Sequence, residues 1–119
     1  IKKNKICILG ASFKENSDDT RKSRTIYIAN KLSKLKFEFD IVDPEVLKLG
    51  RYNCLPFNNT DLKKYTYFIL MTKWDKFKSL YKTKFTNKIM IIDFRNFFEK
   101  DKFNSNKIKL ISIGSSSLF

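Results

Sequence analysis

The loop between residues 10 and 23 carries the side chains of this chain that are best suited to binding a ligand. Phe13, Lys14 and Arg21 offer an aromatic ring, an ammonium and a guanidinium, just after the short apolar run 6–9 and just before a helical pattern. Open α/β sheets bind ligands where a buried strand ends in a polar loop of this kind. The two cations suit phosphate oxygens, and the ring suits a flat base or sugar face. The sequence therefore predicts a site for a phosphorylated ligand.

Arg95 is a second candidate. It follows the apolar run 89–92 in the segment Asp93-Phe94-Arg95-Asn96, so it is expected at the carboxyl end of another sheet strand. A guanidinium there binds phosphate in bidentate fashion or stacks on a base. Both candidate loops are thus expected on the same edge of the sheet.

Asp18 and Asp19 form an acidic pair close to Arg21. Paired carboxylates are suited to general acid–base catalysis. The favoured interpretation is structural, with a carboxylate capping the following helix or pairing with Arg21 or Arg24.

The elements that would position these residues alternate between strand and helix. Ser23 is expected to cap a helix whose apolar residues extend to Leu35. Asp61 is expected to cap a short helix, and residues 74–81 are expected to form another short helix. The stretch 45–60 reads as irregular. Apolar strands are expected at 5–9, 37–42, 67–71, 89–92 and 107–113. This order predicts an α/β fold, a Rossmann-like three-layer domain with about five mainly parallel strands.

Composition narrows the class. A chain of 119 residues is expected to form one domain. The sequence contains no run of 18 apolar residues, which would predict a membrane span, and we expect a cytoplasmic protein. The net charge is +13, yet only four of the 25 basic residues are Arg and the Lys residues are spread evenly. This pattern disfavours a nucleic-acid partner, although a basic surface attracts a nucleotide diphosphate.

The residue types also limit catalysis. There is no His, which removes imidazole acid–base chemistry and most zinc sites, and we expect no metal. Cys7 lies in an apolar strand and reads as a small core residue, and Cys54 lies in a loop with no His to activate it, so neither is named catalytic. Gly10-Ala11-Ser12 after the first strand is not the G-x-G-x-x-G fingerprint of an independent dinucleotide-binding domain.

Five segments resemble, in the same order, motifs of the C-terminal UDP-sugar-binding domain of the UDP-glucose/GDP-mannose dehydrogenase family. Residues 13–23 resemble its FK-x-x-[ST]-D-D-x-R-x-S signature. The other segments are Asp43-Pro44, residues 72–77 for T-E-W-D-x-F, residues 92–96 for D-G-R-N, and Ile113-Gly114 for the terminal I-G. The W-D-x-F and D-x-R-N segments are more typical of the UDP-glucose branch.

This resemblance implies a UDP-glucose 6-dehydrogenase-like parent enzyme of polysaccharide biosynthesis. Residues 1–119 would be its UDP-binding C-terminal domain, and the abrupt start without Met suggests a fragment lacking the NAD-binding and central domains. The parent would oxidise the C6 alcohol of UDP-glucose, or a related UDP-sugar, to the uronic acid in two NAD-dependent steps through an upstream Cys. We therefore expect no catalytic residue here and no turnover by the fragment alone. The expected partners are the UDP-sugar and the other domains, in a parent that is a homodimer or larger.

The resemblance also implies residue roles. Phe13, Lys14 and Arg95 would bind the UDP-sugar, and Arg21 would reach toward the NAD pyrophosphate, with an internal salt bridge of Arg21 left open. Two positions depart from the motifs. Phe94 replaces the usual Gly, which puts the local backbone in question, and Lys73 replaces the usual Glu.

Two other classes of function stay open. One is a stand-alone UDP-sugar-binding or regulatory module, and the other is a basic nucleic-acid-binding domain. The second differs in its steep loss of affinity with added salt.

Overall fold

The computed structural model describes residues 5–12 and 23–113, and these form one twisted sheet with helices on both faces. The sheet order within that part of the chain is β3-β4-β2-β1-β5-β6-β7, and each neighbouring pair is parallel except β3 and β4. The strands are β1 (Ile6–Leu9), β2 (Phe39–Asp43), β3 (Lys48–Leu49), β4 (Tyr52–Pro56), β5 (Tyr67–Leu70), β6 (Ile89–Asp93) and β7 (Ile108–Ser112).

Two helical segments cover the faces of the sheet. The helix α1 (Thr25–Lys34) crosses from β1 to β2, and the 3-10 helix Asp75–Lys82 crosses from β5 to β6. Ala29 of α1 belongs to one buried cluster, whereas Phe77 and Leu80 belong to the cluster on the other face. Shorter 3-10 helices span Phe57–Asn59, Leu62–Lys64 and Lys100–Lys102.

Strand alternation builds these two clusters. In β1, Ile6 and Ile8 face the α1 side, whereas Cys7 and Leu9 face the side of the 3-10 helix. All four are buried, as expected for a central parallel strand covered on both faces, whose sequence is apolar throughout. The buried Phe68 and Leu70 of β5 and Ile91 of β6 extend the second cluster across the sheet.

The predicted α/β fold class and its five apolar strands are confirmed, with boundaries shifted by one or two residues at some ends. The prediction that residues 45–60 are irregular is wrong, because β3 and β4 lie there. β4 pairs with β2 and turns Cys54 into the α1-side cluster. Tyr52 of β4 is bound to the helix α1, since its hydroxyl donates to Asn30 Oδ1 at 2.7 Å. These long-range contacts, rather than an apolar run, define the strand.

The helix expectations hold with local changes. The helix predicted over residues 74–81 is present as the 3-10 helix Asp75–Lys82. Asp61 caps the 3-10 helix Leu62–Lys64, where its Oδ1 accepts from Lys63 N at 3.1 Å. Leu35 was expected on the apolar helix face, but it follows α1 and is 56% exposed. No helix in the described ranges is long and apolar enough to cross a membrane.

Candidate functional site

The topology places a switch point between β1 and β5. After β1 the chain runs through α1 to β2 on one side, whereas β5 pairs with the opposite side of β1. The two crossovers therefore lie on opposite faces, and a crevice forms outside the carboxyl ends of β1 and β5. We use "carboxyl edge" for the residues that follow β1, β5 and β6: 10–12, 71–74 and 94–96.

Gly10 lets the two sides of this crevice meet. Its φ is +107°, and a Cβ added there would lie 2.4 Å from Thr72 Oγ1. Thr72 Oγ1 in turn donates to the carbonyl of Ser12 at 3.3 Å. The close approach that Gly10 permits is thus taken up by Thr72, from the end of the neighbouring strand β5.

The start of α1 is tied to the end of β1. Thr25 Oγ1 donates to the carbonyl of Gly10 at 2.7 Å, and Ser23 Oγ donates to the carbonyl of Ala11 at 2.7 Å. Ser23 Oγ also accepts from Thr25 N at 3.3 Å, although the N-cap residue of α1 is Arg24, one residue after the expected Ser23. Ser23 and Thr25 are therefore held against the end of β1, at the carboxyl edge.

Asp43 joins the end of β2 to the end of β1. Its side chain is buried, and Oδ2 accepts from Ala11 N at 2.7 Å while Oδ1 accepts from the backbone N–H groups of Glu45 and Val46, each at 2.8 Å. One carboxylate thus satisfies three backbone donors that no strand would pair.

Asp93 does the same after β6. It is fully buried, Oδ1 accepts from Arg95 N at 2.9 Å, and Oδ2 accepts from Phe97 N at 2.7 Å and Phe98 N at 2.8 Å. Sequence reasoning did not assign this role to Asp43 or Asp93. The available signal was an Asp at the last position of an apolar strand, and it occurs twice in this chain.

Arg95 lies at the carboxyl edge, where the sequence predicted it. Its backbone is fixed by Asp93, and its Nη1 donates to the carbonyl of Met71 at 3.3 Å. Since Met71 follows β5 directly, the guanidinium extends from β6 across the end of β5, toward the switch point. Its contact with a ligand stays a prediction.

The backbone at Phe94 is ordinary. The left-handed residue of this turn is Asn96, with φ 53°, and Phe94 is not among the described residues with positive φ. Asn tolerates that region better than most residues. Phe94 instead packs, partly buried, against the α1-side cluster. Phe94 therefore occupies the position of the usual Gly without a positive φ.

Three predicted site residues, Phe13, Lys14 and Arg21, lie outside the described residues, as does the acidic pair Asp18 and Asp19. Their assigned roles stay predictions. Ser12 and Ser23, the described residues on either side of 13–22, lie at the same edge of the sheet as Arg95.

Trp74 is a packing residue. It is 6% exposed and belongs to the core cluster on the 3-10 helix face, so its ring is not available as a stacking platform. The neighbouring Lys73 is exposed.

Both cysteines are buried free thiols. Burial raises the pKa of Cys7 well above its usual value, with a smaller contribution from Asp40. Burial and then the nearby Asp43 raise the pKa of Cys54 to about 11. Both thiols are therefore protonated at neutral pH and poor nucleophiles. No group of three His, Cys, Asp or Glu side chains able to hold a metal occurs in residues 5–12 and 23–113.

An apolar groove of about 600 Å³ lies on the α1 face of the sheet, away from the carboxyl edge. Its charged lining consists of Lys36 and Glu38, next to Phe37 and Tyr67. This lining offers no cluster of cations for a diphosphate. We call it the amino-end groove, because Tyr67 begins β5 and Phe37 precedes β2.

Comparison with protein families gives a match over residues 7–100, to the UDP-binding domain of the UDP-glucose/GDP-mannose dehydrogenase family. The chain belongs to this family. The matched range runs from Cys7 in β1 to beyond β6, and therefore includes Gly10 and Arg95 of the carboxyl edge and the strand-end residues Asp43 and Asp93.

Relatives agree with this assignment. The chain is 28% identical to UDP-glucose 6-dehydrogenase of Rhizobium meliloti (strain 1021) over 122 residues, covering 96% of this chain. It spans only 28% of the length of that relative.

Solved structures share the fold. UDP-D-ManNAc dehydrogenase from Pyrococcus horikoshii matches with a TM-score of 0.68 and 22% identity, over 98% of this chain and 27% of that one. UDP-N-acetyl-mannosamine dehydrogenase from Staphylococcus aureus matches with a TM-score of 0.68 and 20% identity, over 94% of this chain and 26% of that one.

Proposed function

We propose that this chain binds the UDP part of a UDP-sugar at the carboxyl edge. It would do so as the C-terminal domain of an NAD-dependent UDP-sugar 6-dehydrogenase that forms the uronic acid. The observation that carries the proposal is the position of Arg95. Its guanidinium extends over Met71, beside the β1–β5 switch point, in a family whose matched domain binds UDP. A guanidinium there is suited to bidentate contact with phosphate.

The site is held rigid before any ligand arrives. Asp93 fixes the backbone of Arg95, and Asp43 fixes Ala11 at the end of β1. Rigid placement lowers the entropy that is lost on binding, because the cation does not have to be ordered by its ligand. Lys14 and Phe13 would complete the site from the loop 13–22.

The chemistry of oxidation belongs to other parts of the proposed parent. The two buried thiols are protonated, and the turn after β1 is filled by Thr72. We therefore propose that residues 1–119 form one domain, that NAD binds mainly to another domain with Arg21 as a contact from this one, and that the UDP-sugar is oxidised between them. The proposed cellular setting is the cytoplasm, where nucleotide sugars would be oxidised for polysaccharide biosynthesis.

The proposal is tested by calorimetric titration with UDP. The variants are Lys14→Ala with Arg95→Ala, the Arg95→Ala single variant, and Arg51→Ala as a control. Arg51 is an exposed Arg at the β3–β4 turn, where it contacts Ser33 and Tyr52 instead of the carboxyl edge. A lost charge-assisted contact corresponds to a weakening of about tenfold or more.

We expect saturable UDP binding that Arg95→Ala weakens at least about tenfold and Arg51→Ala leaves unchanged. Equal losses in both variants, or no UDP binding at millimolar concentration, would contradict the proposed site. Binding that disappears steeply with salt and does not distinguish uridine from other bases would favour the nucleic-acid class instead. NAD reduction by this chain alone with UDP-glucose would contradict the proposed division between domains.

A further inference from the structure

Lys73 stands on a rigid part of the carboxyl edge. Its neighbours Thr72 and Trp74 are 0% and 6% exposed, whereas Lys73 itself is exposed. Thr72 N donates to the carbonyl of Leu9 at 3.4 Å, and Trp74 N donates to the carbonyl of Thr72 at 3.1 Å. The backbone at Lys73 is therefore fixed, and its side chain is the mobile part.

Lys73 lies close to the guanidinium of Arg95. Arg95 Nη1 donates to the carbonyl of Met71 at 3.3 Å, and Lys73 is two residues beyond Met71. Because consecutive Cα atoms are about 3.8 Å apart, the Cα of Lys73 lies within about 10 Å of that guanidinium nitrogen. A diphosphate bound beside Arg95 is thus within reach of the four-carbon stem of Lys73.

No residue in the described part of the chain neutralises the charge of Lys73. In the described part of the chain Lys73 forms no ion pair or hydrogen bond, whereas Lys78 pairs with Asp75 and Lys102 with Glu99. The motif that residues 72–77 resemble has Glu at this position. Exchanging a carboxylate for an ammonium changes the local charge by two units, in the direction that attracts phosphate.

We propose that Lys73 is a further ligand-binding residue, which contacts the terminal phosphate and makes the site prefer a nucleoside diphosphate to a monophosphate. This inference rests on the proposed UDP site, with Arg95 as the neighbouring cation. Lys73 and Arg95 then bind the two phosphates from the ends of β5 and β6. A monophosphate engages Arg95 and leaves Lys73 in solvent.

The test is titration of the chain with UDP and with UMP, at low and at physiological salt. Lys73→Glu is compared with Lys84→Glu, which makes the same charge change at an exposed Lys before β6. Thermal unfolding of both variants checks that they are folded, as expected for exposed side chains.

We expect Lys73→Glu to raise the UDP dissociation constant about five- to tenfold at low salt and the UMP constant less than about twofold. Lys84→Glu should change neither beyond about twofold, and the UDP effect should shrink at higher salt. Three outcomes would each overturn this inference: an unchanged UDP dissociation constant in Lys73→Glu, equal losses of affinity for UDP and UMP, or equal losses in the two variants. In each of these cases, UDP binding by the unmodified chain would still support the proposed function. No UDP binding by the unmodified chain would overturn both.

Discussion

Replacing Asp93 by Asn removes the charge from a buried side chain at the end of β6, next to the carboxyl edge, while keeping its size. The carboxylate accepts from three backbone N–H groups, those of Arg95, Phe97 and Phe98, and is 0% exposed. An amide has only one acceptor oxygen. In either orientation of the amide its NH2 group faces at least one of these donors.

The magnitude follows from this geometry. In the better orientation the amide oxygen takes the Oδ2 position and keeps Phe97 N and Phe98 N, while Arg95 N loses its acceptor. A buried donor without a partner costs about 1–3 kcal/mol, and the two remaining bonds lose the strength that the charge gives them. We expect the free energy of unfolding to fall by about 2–4 kcal/mol, a large part of the usual 5–15 kcal/mol.

The assay is equilibrium unfolding in urea, with Asp75→Asn as the matched control. The Asp75 side chain is 89% exposed and pairs only with Lys78 at 3.3 Å, so its replacement should cost less than about 0.5 kcal/mol. UDP affinity of Asp93→Asn should fall as well, because Arg95 loses the bond that fixes its backbone. A loss of stability below about 1 kcal/mol in Asp93→Asn would refute the reasoning, because a buried donor left without an acceptor costs at least about that much.

Two further predictions concern packing and pH. Gly10→Ala should lower stability by about 2–4 kcal/mol in the same assay, because its Cβ would lie 2.4 Å from Thr72 Oγ1. Gly50→Ala should cost less, since its Cβ meets a flexible Ile26 methyl at 3.1 Å, and the opposite order would contradict the described crevice. Stability should also fall between pH 9 and pH 11: the pKa of folded Cys54 is raised from 9.0 to about 11, so its contribution is complete below pH 9 and lost as pH rises. Under reducing conditions, the urea midpoints at pH 8 and pH 10.5 should differ less in Cys54→Ala than in the unmodified chain. Equal differences would contradict the proposed contribution of Cys54 to the loss of stability at high pH.

The parts of the fold that sequence alone predicts are those with local signals. β1 and β5 are short runs of apolar residues, and such runs are typical of strands buried on both faces. β4 has no such run, because it contains Asn53 and Pro56 and is defined by pairing with β2. Local periodicity predicts a helix over residues 74–81, close to the observed Asp75–Lys82, but it does not distinguish 3-10 from α geometry.

The candidate site divides in the same way. The position of Arg95 after an apolar strand was enough to place it at the carboxyl edge. The bond from Ala11 N to Asp43 joins residues 32 positions apart, and depends on β1 and β2 being neighbours in the sheet. That neighbour relation is a property of the topology, so the roles of Asp43 and Asp93 emerge only from the folded chain.

The central claim is that UDP binds at the carboxyl edge between β1, β5 and β6. The most direct measurement is mapping of backbone amide NMR shifts during UDP titration of the unmodified chain. The account predicts saturable shifts at Ala11, Thr72 and Arg95, with Phe37 and Tyr67 of the amino-end groove unchanged. Shifts confined to the amino-end groove, or none at millimolar UDP, would contradict it.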